Sequence, residues 1–274
     1  MPRVFQLGHV TVGAADVGQT RDYYVETLGL QETGTGDGAA FLSVGQSPQD
    51  LVLRPAKDNA LLHLGYLLNA GTDIGDFAKD LSGEGLSPER KSDVMPGISD
   101  MVEVEVTEGH TLQFFTAPES DAPGFSRRGI SPLKLGHVAV VSPEAEKLVG
   151  FYRDFLGFHE TDWIGDLANF LTCNYEHHVI NIVNAPPTLV HHIAFQLADT
   201  AQHAVAADKL RAAGIQTKWG PSRHTAGHNL AAYHKDPNDL LIELYTDMDV
   251  YIPELGICEP RPWHEHLPMK PKRW

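Results

Sequence analysis

The main candidates for catalysis or metal binding in this sequence are its histidines. The chain has 15 histidines among 274 residues, and many of them crowd between positions 177 and 234. His137, His192 and Glu243 each stand among apolar residues in a segment with the alternation of a β-strand. Two imidazoles and one carboxylate are the donor set of a mononuclear non-haem iron centre, which keeps adjacent positions open for substrate and dioxygen. A bound metal would also remove the burial penalty of these groups, which is on the order of several kcal/mol.

The same three residues fit a plainer interpretation. His137 and His192 could be ordinary hydrogen-bonded strand histidines, and Glu243 could point to solvent. Residue type and spacing leave both interpretations open, so the elements that carry these residues have to be considered.

Those elements occur twice in the chain. LGHVTV at 7–12 returns as LGHVAV at 135–140, an offset of 128 residues. Three further pairs of segments match at offsets of 128 to 130, and such agreement does not arise from composition. The sequence therefore predicts two copies of one module, with these bounds: an N-terminal module at 1–116, a linker at 117–133, a C-terminal module at 134–247 and a C-terminal tail at 248–274.

Within each module, alternating apolar runs predict half-buried strands. The segments 142–156 and 200–213 predict amphipathic helices. The order strand, helix, strands occurs twice per module. This order predicts an α+β fold.

The segments LGHVAV, HHIAF and IELYT, with the spacing from His192 to Glu243, resemble the type I extradiol ring-cleaving catechol dioxygenases of the vicinal-oxygen-chelate superfamily. The resemblance covers nearly the whole chain. It implies an α+β fold of two tandem modules, each a pair of βαβββ motifs as in glyoxalase-like proteins. It also implies that His137, His192 and Glu243 bind one Fe(II). Mn(II) uses the same ligand types and stays open.

The same resemblance assigns three further residues to catalysis. His178, 14 residues before His192, matches the family's acid–base histidine. Tyr233 and His224 match residues that hydrogen-bond the substrate oxygens. Strand alternation should turn His191 away from the metal. Four neighbouring histidines are expected to have structural roles, with His228 as the first candidate for an exception: His177, His191, His228 and His234.

The first module keeps the frame of this site without its functional groups. His9 and His63 stand where the second module has its candidate ligand histidines, but Gln113 takes the place of the carboxylate. A neutral amide binds a metal less tightly than a carboxylate does. We therefore predict a structural role for the first module. The positions matched to the three catalytic candidates hold Asp50, Glu103 and Val94.

The resemblance implies that a catechol chelates the metal and that O2 opens its ring, giving a muconic semialdehyde type product. Relatives that cleave a carboxylated catechol are expected to have Arg where this chain has Trp219. An indole offers an apolar face, whereas a guanidinium binds a carboxylate through paired donors. Trp219 therefore favours a catechol with an uncharged or aromatic substituent, and which catechol or triol it is stays open.

Two other function classes use such a fold, because a fold does not fix a function. One is a binding protein without oxygenase activity, either metal-free or metal-storing. The other is a different metalloenzyme, such as a glyoxalase-like isomerase or a thiol transferase, which usually builds its site from Glu ligands in both modules. Gln113, without a catalytic His partner, argues against this second class.

The overall charge restricts the partners. Lys and Arg number 21 against 36 Asp and Glu, a net charge of −15, which disfavours nucleic acids and anionic membranes. No segment reaches the roughly 20 apolar residues of a membrane span, and the start lacks the pattern of a leader. We expect a cytoplasmic homo-oligomer whose partners are a catecholic small molecule and O2. The tail with Trp263, His264 and His266 could close over the site as a lid or extend into solvent.

Overall fold

The computed structural model describes residues 2–118 and 121–259. Within these ranges, no helix is both long enough and apolar enough to cross a lipid bilayer. The residues predicted as a possible lid, Trp263, His264 and His266, lie outside the described residues.

The first half of the chain forms one eight-stranded sheet. Its elements are β1 (Val4–Ala14), α1 (Val17–Asp22) continuing as a π-helical segment (Tyr23–Leu28), β2 (Gln31–Gly36), β3 (Ala39–Ser43), β4 (Leu51–Pro55), β5 (Leu61–Leu68), α2 (Ile74–Gly83), β6 (Glu89–Met95), β7 (Ile98–Thr107) and β8 (His110–Phe115). The strand order is β2-β3-β4-β1-β5-β8-β7-β6. The elements from β1 to β4 form one βαβββ motif, and those from β5 to β8 form a second. The two motifs meet where β1 pairs antiparallel with β5.

The second half repeats this architecture. Its elements are β9 (Lys134–Ser142), α3 (Ala145–Gly150) continuing as a π-helical segment (Phe151–Phe155), β10 (His159–Ile164), β11 (Ala168–Thr172), β12 (Ile180–Asn184), β13 (Leu189–Gln196), α4 (Thr200–Ala212), β14 (Thr217–Arg223), β15 (Leu230–Lys235) and β16 (Leu241–Thr246), followed by a separate hairpin of β17 (Val250–Ile252) and β18 (Ile257–Glu259). The strand order, β10-β11-β12-β9-β13-β16-β15-β14, is that of the first sheet. The predicted fold of two tandem modules of paired βαβββ motifs is therefore confirmed.

Alternation along the strands of the second sheet separates a core face from a site face. Val138 and Val140 of β9 are buried in the main apolar core, so His137, which directly precedes Val138, points to the other face. On β13, Ile193 lies in the core and His192 again lies opposite to it. Each such buried aliphatic side chain stabilises the fold by about 1.5–3 kcal/mol. The residues that hold the sheet thereby also fix the direction of the candidate ligands.

The π-helical segment of each copy packs against the other module. The ring of Tyr152 lies 5.8 Å from that of Tyr66, and their hydroxyls are 3.2 Å apart. In the reciprocal contact, the Tyr24 hydroxyl donates to Asp236 Oδ2 at 3.0 Å. Residues of both modules therefore belong to one continuous apolar core.

The connection between the sheets contacts both of them. The backbone N–H groups of Ile130 and Ser131 donate to carbonyls of the first module, while the Gln202 amide of α4 donates to the Ile130 carbonyl. Residues 121–133 contain neither a helix nor a strand. The predicted module and linker bounds, 1–116, 117–133 and 134–247, stay a prediction.

Candidate metal centre and active site

Three neighbouring strands bring the predicted ligand residues together. His137 lies on β9, His192 on β13 and Glu243 on β16, and β13 is the middle strand, antiparallel to β9 and parallel to β16. Ala194 of β13 stands opposite both His137 and Glu243. Because its side chain is only a methyl group, the longer side chains on either side can turn toward each other.

These three side chains present one donor atom each to the others. His137 Nε2 lies 3.3 Å from Glu243 Oε2 and 3.3 Å from His192 Nε2. His192 Nε2 lies 3.0 Å from Glu243 Oε2. Metal–ligand bonds of about 2.1 Å at right angles would leave neighbouring ligand atoms about 3.0 Å apart. The residues present therefore fit one metal ion held by two histidines and one carboxylate on a single face.

Burial and mutual contacts set the charge state of this cluster. Burial alone would raise the pKa of Glu243, but the interaction with His137 and hydrogen bonds from the surrounding imidazoles outweigh it, so the pKa lies well below its usual value. Burial lowers the pKa of His192 well below its usual value. An anionic carboxylate and a neutral imidazole are the forms in which these side chains bind metal ions.

A hydrogen-bonded chain ends on the Glu243 carboxylate. Tyr233 stands directly opposite Glu243 in the β15–β16 ladder, and its hydroxyl donates to Glu243 Oε2. His224 Nε2 lies 2.8 Å from the Tyr233 hydroxyl and can donate to its oxygen. Asn229 Nδ2 donates to the other carboxylate oxygen, Oε1, at 2.8 Å. Both oxygens of Glu243 are therefore held, one of them by an asparagine that the sequence analysis missed.

His178 lies beside the three candidate ligands. It precedes β12, and its ring centroid is 4.2 Å from that of His137. Burial, together with the neighbouring His137 and His177, lowers its pKa well below the usual value, so its imidazole is neutral. A neutral imidazole facing the same cavity can accept a proton from a bound hydroxyl group.

The prediction that His191 points away from the site is wrong. The β9–β13 ladder is interrupted between Val190 and His192 by a β-bulge, and His191 is the extra residue. Because a bulge breaks the alternation of side chains, His191 lines the same cavity as His192. Its Nδ1 lies 2.8 Å from His192 Nδ1.

Trp219 lies behind the site and not beside the substrate position predicted for it. Its indole stacks on the His224 ring, with centroids 5.2 Å apart and planes 9° apart, and it stands opposite Tyr233 in the β14–β15 ladder. Among the described residues, the cavity wall does not include it. Trp219 therefore packs against His224 and Tyr233 and does not line the cavity itself.

The cavity over the candidate ligands is mostly apolar and has a volume of about 360 Å³. No Lys or Arg of the described ranges lines it. Two of its apolar lining residues, Ile164 and Leu167, are exposed and mark its mouth at the β10–β11 hairpin. The apolar lining residues are Ile164, Leu167, Ala168, Phe170, Val183 and Ala226.

Two other nearby histidines have partners away from the cavity. His228 Nδ1 lies 2.6 Å from Asp249 Oδ2. His234 Nε2 makes a hydrogen bond with the hydroxyl of Tyr23, across the contact between the modules. These contacts suit the structural roles expected of His228 and His234.

In the first module, the residues at the positions of the candidate ligands form a polar network with one another and with Glu103. His9 Nε2 lies 2.8 Å from Gln113 Oε1, and the Gln113 amide donates to Glu103 at 2.7 Å. Lys91 neutralises Glu103 through a contact of 2.6 Å. The His9 ring lies where a β-carbon at Gly65 would stand, which fills the space over the middle strand. Within the parts of the chain that are described, donor atoms close enough for a metal ion occur only in the second module.

The match of His178 to Asp50 is wrong by one residue. Backbone hydrogen bonds place Asp50 at the position of Val179, so Gln49 corresponds to His178. The offset changes from 128 to 129 in the turn between β10 and β11, which is one residue longer than the turn between β2 and β3, and the sequence alone does not reveal this. A glutamine does not exchange protons near neutrality, so the first module still lacks the acid–base group.

Comparison with known proteins gives the family of the second module. Residues 134–244 match the Glyoxalase/Bleomycin resistance protein/Dioxygenase superfamily. The second module is a domain of this superfamily. The matched range extends from three residues before His137 to one residue after Glu243, so the whole candidate site lies in this superfamily domain.

Three relatives are similar to this chain. Metapyrocatechase 2 from Cupriavidus necator is 32% identical over 126 residues, which are 45% of this chain and 39% of that protein. Manganese-dependent 2,3-dihydroxybiphenyl 1,2-dioxygenase from Geobacillus genomosp. 3 is 30% identical over 49% of this chain and 48% of its own length. Biphenyl-2,3-diol 1,2-dioxygenase from Paraburkholderia xenovorans (strain LB400) is 25% identical, and that match covers 86% of each chain.

Solved structures share the fold over almost the whole chain. The 2,3-dioxygenase LapB from Pseudomonas sp. KL28 has a TM-score of 0.86 at 22% identity, covering 93% of this chain and 96% of that one. An Mn(II)-bound glyoxalase from Novosphingobium aromaticivorans has a TM-score of 0.82 at 24% identity, covering 97% and 96%. The fold of the superfamily domain therefore serves more than one chemistry, and the function has to be argued from the site.

Proposed function

We propose that this protein is an extradiol dioxygenase. It breaks the ring carbon–carbon bond beside the two hydroxyl-bearing carbons of a catechol and adds both atoms of one O2 to the product. One catechol and one O2 give one ring-opened muconic semialdehyde type compound, so no external reductant is consumed. The observation that carries the proposal is the triangle of donor atoms of His137, His192 and Glu243 beneath an apolar cavity. The relatives named as dioxygenases of catecholic substrates support it.

His137, His192 and Glu243 would hold the metal, which we propose to be Fe(II). Two histidines and one carboxylate with open positions are typical of non-haem iron oxygenases. When bound, the metal offers neighbouring positions to catechol and O2 and a route for electron density between them. Mn(II) stays an alternative because it accepts the same ligand types, and one relative is named as manganese-dependent.

The remaining residues of the site move a proton, donate hydrogen bonds and exclude water. His178 accepts a proton from a catechol hydroxyl and returns a proton to a product oxygen, which an imidazole can do near neutral pH. When a substrate is bound, the Tyr233 hydroxyl would turn from Glu243 and, together with His224, donate hydrogen bonds to oxygen atoms that gain negative charge. The apolar wall around Phe170 keeps water away, which strengthens these interactions.

Oxygen uptake tests this function directly. Protein loaded anaerobically with Fe(II) is mixed with a catechol in aerated buffer, and O2 consumption and the absorbance of the ring-opened product are followed together. We expect equal amounts of O2 consumed and ring opened. Metal-loaded protein that binds a catechol without consuming O2 would point instead to a binding protein or to a glyoxalase-like enzyme.

We predict that the enzyme prefers uncharged catechols. The cavity wall among the described residues has no cation to pair with a carboxylate, and an unpaired charge is poorly tolerated in an apolar site. The kcat/KM for 2,3-dihydroxybiphenyl or 4-methylcatechol should exceed that for 3,4-dihydroxyphenylacetate by about tenfold or more, a difference of about 1.4 kcal/mol. Steady-state oxygen uptake with each substrate gives this ratio.

Two variants make the substrate test sharper. Leu167→Arg places a guanidinium at the mouth of the cavity, where it can pair with the carboxylate of a charged catechol. The substitution should therefore lower the ratio of kcat/KM for the uncharged catechols to kcat/KM for 3,4-dihydroxyphenylacetate. A chain ending at Glu259 lacks Lys270, Lys272 and Arg273. A wild-type preference for the carboxylated catechol would contradict the prediction, and loss of that preference in the shortened chain would trace it to the tail.

A cytoplasmic homo-oligomer stays part of the proposal. Large apolar side chains at the surface, such as Trp163 and Leu255, would suit contacts between copies of the chain. Light scattering on the metal-loaded protein tests this, and the mass of a single chain would contradict it.

A further inference from the structure

Two pairs of adjacent histidines face the cavity or border it. His177 and His178 are joined through their Nδ1 atoms at 3.0 Å, and His191 and His192 are joined in the same way at 2.8 Å. The second member of each pair belongs to the proposed site. His191 has no part in the proposed reaction, although it lies on the cavity wall.

His192 needs a partner at Nδ1 if its Nε2 binds a metal. An imidazole that gives one nitrogen to a metal carries its proton on the other, and a buried donor left without a partner destabilises that arrangement. His191 Nδ1, at 2.8 Å, is placed to accept that proton in a hydrogen bond. This contact would fix both the tautomer and the ring orientation of His192.

His137 is held in a different way. Its Nδ1 has no hydrogen-bond partner among the described residues. Its ring instead lies between two other rings, with centroids 5.1 Å from Tyr245 and 4.2 Å from His178. Packing therefore orients His137, whereas His192 is oriented by a hydrogen bond to its chain neighbour His191.

The bulge that carries His191 belongs to the frame of both modules. In the first module, the ladder steps from the pair Thr11–His63 to the pair Val12–Leu61, which leaves Leu62 as the extra residue. Leu62 and His191 therefore occupy corresponding positions. The bulge alone does not require an imidazole, and the imidazole occurs in the module that has the three donor atoms.

We propose that His191 is a positioning residue for the metal, because its Nδ1 accepts a hydrogen bond from His192 and holds His192 Nε2 toward the metal position. This inference rests on the proposed metal site. Partners of this kind typically change metal affinity about 10- to 100-fold when they are removed.

Equilibrium binding of Mn(II) tests the role of His191 without relying on activity. Metal-free protein is titrated anaerobically with Mn(II), and free Mn(II) is followed by electron paramagnetic resonance. We expect His191→Phe to raise the Kd about 10- to 100-fold. His191→Asn should recover most of the affinity, because its amide oxygen lies one bond from Cγ, as Nδ1 does, and can accept the same hydrogen bond. His177→Phe is the matched control and should keep the wild-type Kd, because His177 contacts His178, which is not a proposed ligand.

Thermal unfolding of the metal-free variants shows that each one is folded before titration. Wild-type affinity in His191→Phe would overturn the inference. Equal weakening in His191→Phe and His191→Asn would also overturn it, because the effect would then come from packing and not from the hydrogen bond. If the wild-type protein itself bound neither Mn(II) nor Fe(II), the proposed function would fail first, which distinguishes the two failures.

Discussion

His192→Ala should lose bound metal and ring-cleaving activity together. The substitution removes one of three donor atoms and leaves only His137 Nε2 and Glu243 Oε2, 3.3 Å apart, to hold the ion. Anaerobically purified wild-type protein should carry about one metal ion per chain, as one complete set of three ligands implies. In the variant, the metal content measured by elemental analysis should fall to near zero. The rate of oxygen uptake with a catechol should fall to the background rate.

The first module supplies the control substitution for His192→Ala. His63 occupies the position of His192 in the first module, but it lies 3.4 Å from Glu103 in a network that already contains Lys91. His63→Ala should therefore leave the metal content at about one ion per chain. Two ions in the wild-type chain, with one lost on changing His63, would contradict the structural role of the first module.

The fold could be predicted because the duplication and the alternation are both written in the sequence. LGHVTV and LGHVAV mark the first strand of each module, and each repeats the same order of apolar positions. Val138 and Val140 must face the core, so His137 must face the other way. Similar reasoning fixes the direction of Glu243 on β16, between Ile242 and Leu244. The strands that meet over the cavity then follow from the topology of the paired motifs.

The direction of His191 could not be predicted because it depends on a bulge. Alternation holds only while each residue of one strand faces one residue of the next. The segment VHHIAF contains no Gly or Pro that would signal an interruption. The register between β9 and β13 is needed to see that Val190 and His192 face successive residues of the partner strand.

Contacts between side chains from distant segments of the chain also could not be predicted from the sequence. Asn229 stands in a loop before β15 and gives no motif, yet its amide holds Glu243 Oε1 at 2.8 Å. Trp219 falls at the position expected for a substrate contact, but its ring packs flat on His224. The preference for an uncharged substrate therefore no longer depends on Trp219 and depends on the apolar cavity wall instead.

The fold does not separate an oxygenase from a glyoxalase, since solved structures named as each resemble this chain to a similar extent. What separates them is chemistry at the site. The proposed oxygenase chemistry needs a residue that moves a proton without binding the metal, and His178 is the residue proposed for that role.

His178→Ala should keep its metal and lose about 10²-fold or more in turnover, the usual scale for a positioned acid–base group. The ring of His178 lies beside that of His137, but its nitrogens are not among the three donor atoms that converge. Metal content and oxygen uptake are measured on the same anaerobically loaded sample. His159→Ala is the control for loss of a histidine in the same module, because His159 packs on Tyr251 and is outside the cavity lining. It should retain both metal and activity.

A second substitution separates proton transfer from packing. Removal of the His178 ring also removes a contact of 4.2 Å that helps to orient His137, so His178→Ala alone could loosen the metal indirectly. His178→Asn keeps a polar side chain that can hydrogen-bond but cannot exchange a proton near neutral pH. We expect this variant to bind metal as the wild type does and still to turn over slowly. Full metal content with wild-type turnover in His178→Asn would contradict a role of His178 in proton transfer. Loss of metal in both variants would contradict the expected metal binding and show that the His178 ring is needed to hold the ion, directly or through His137.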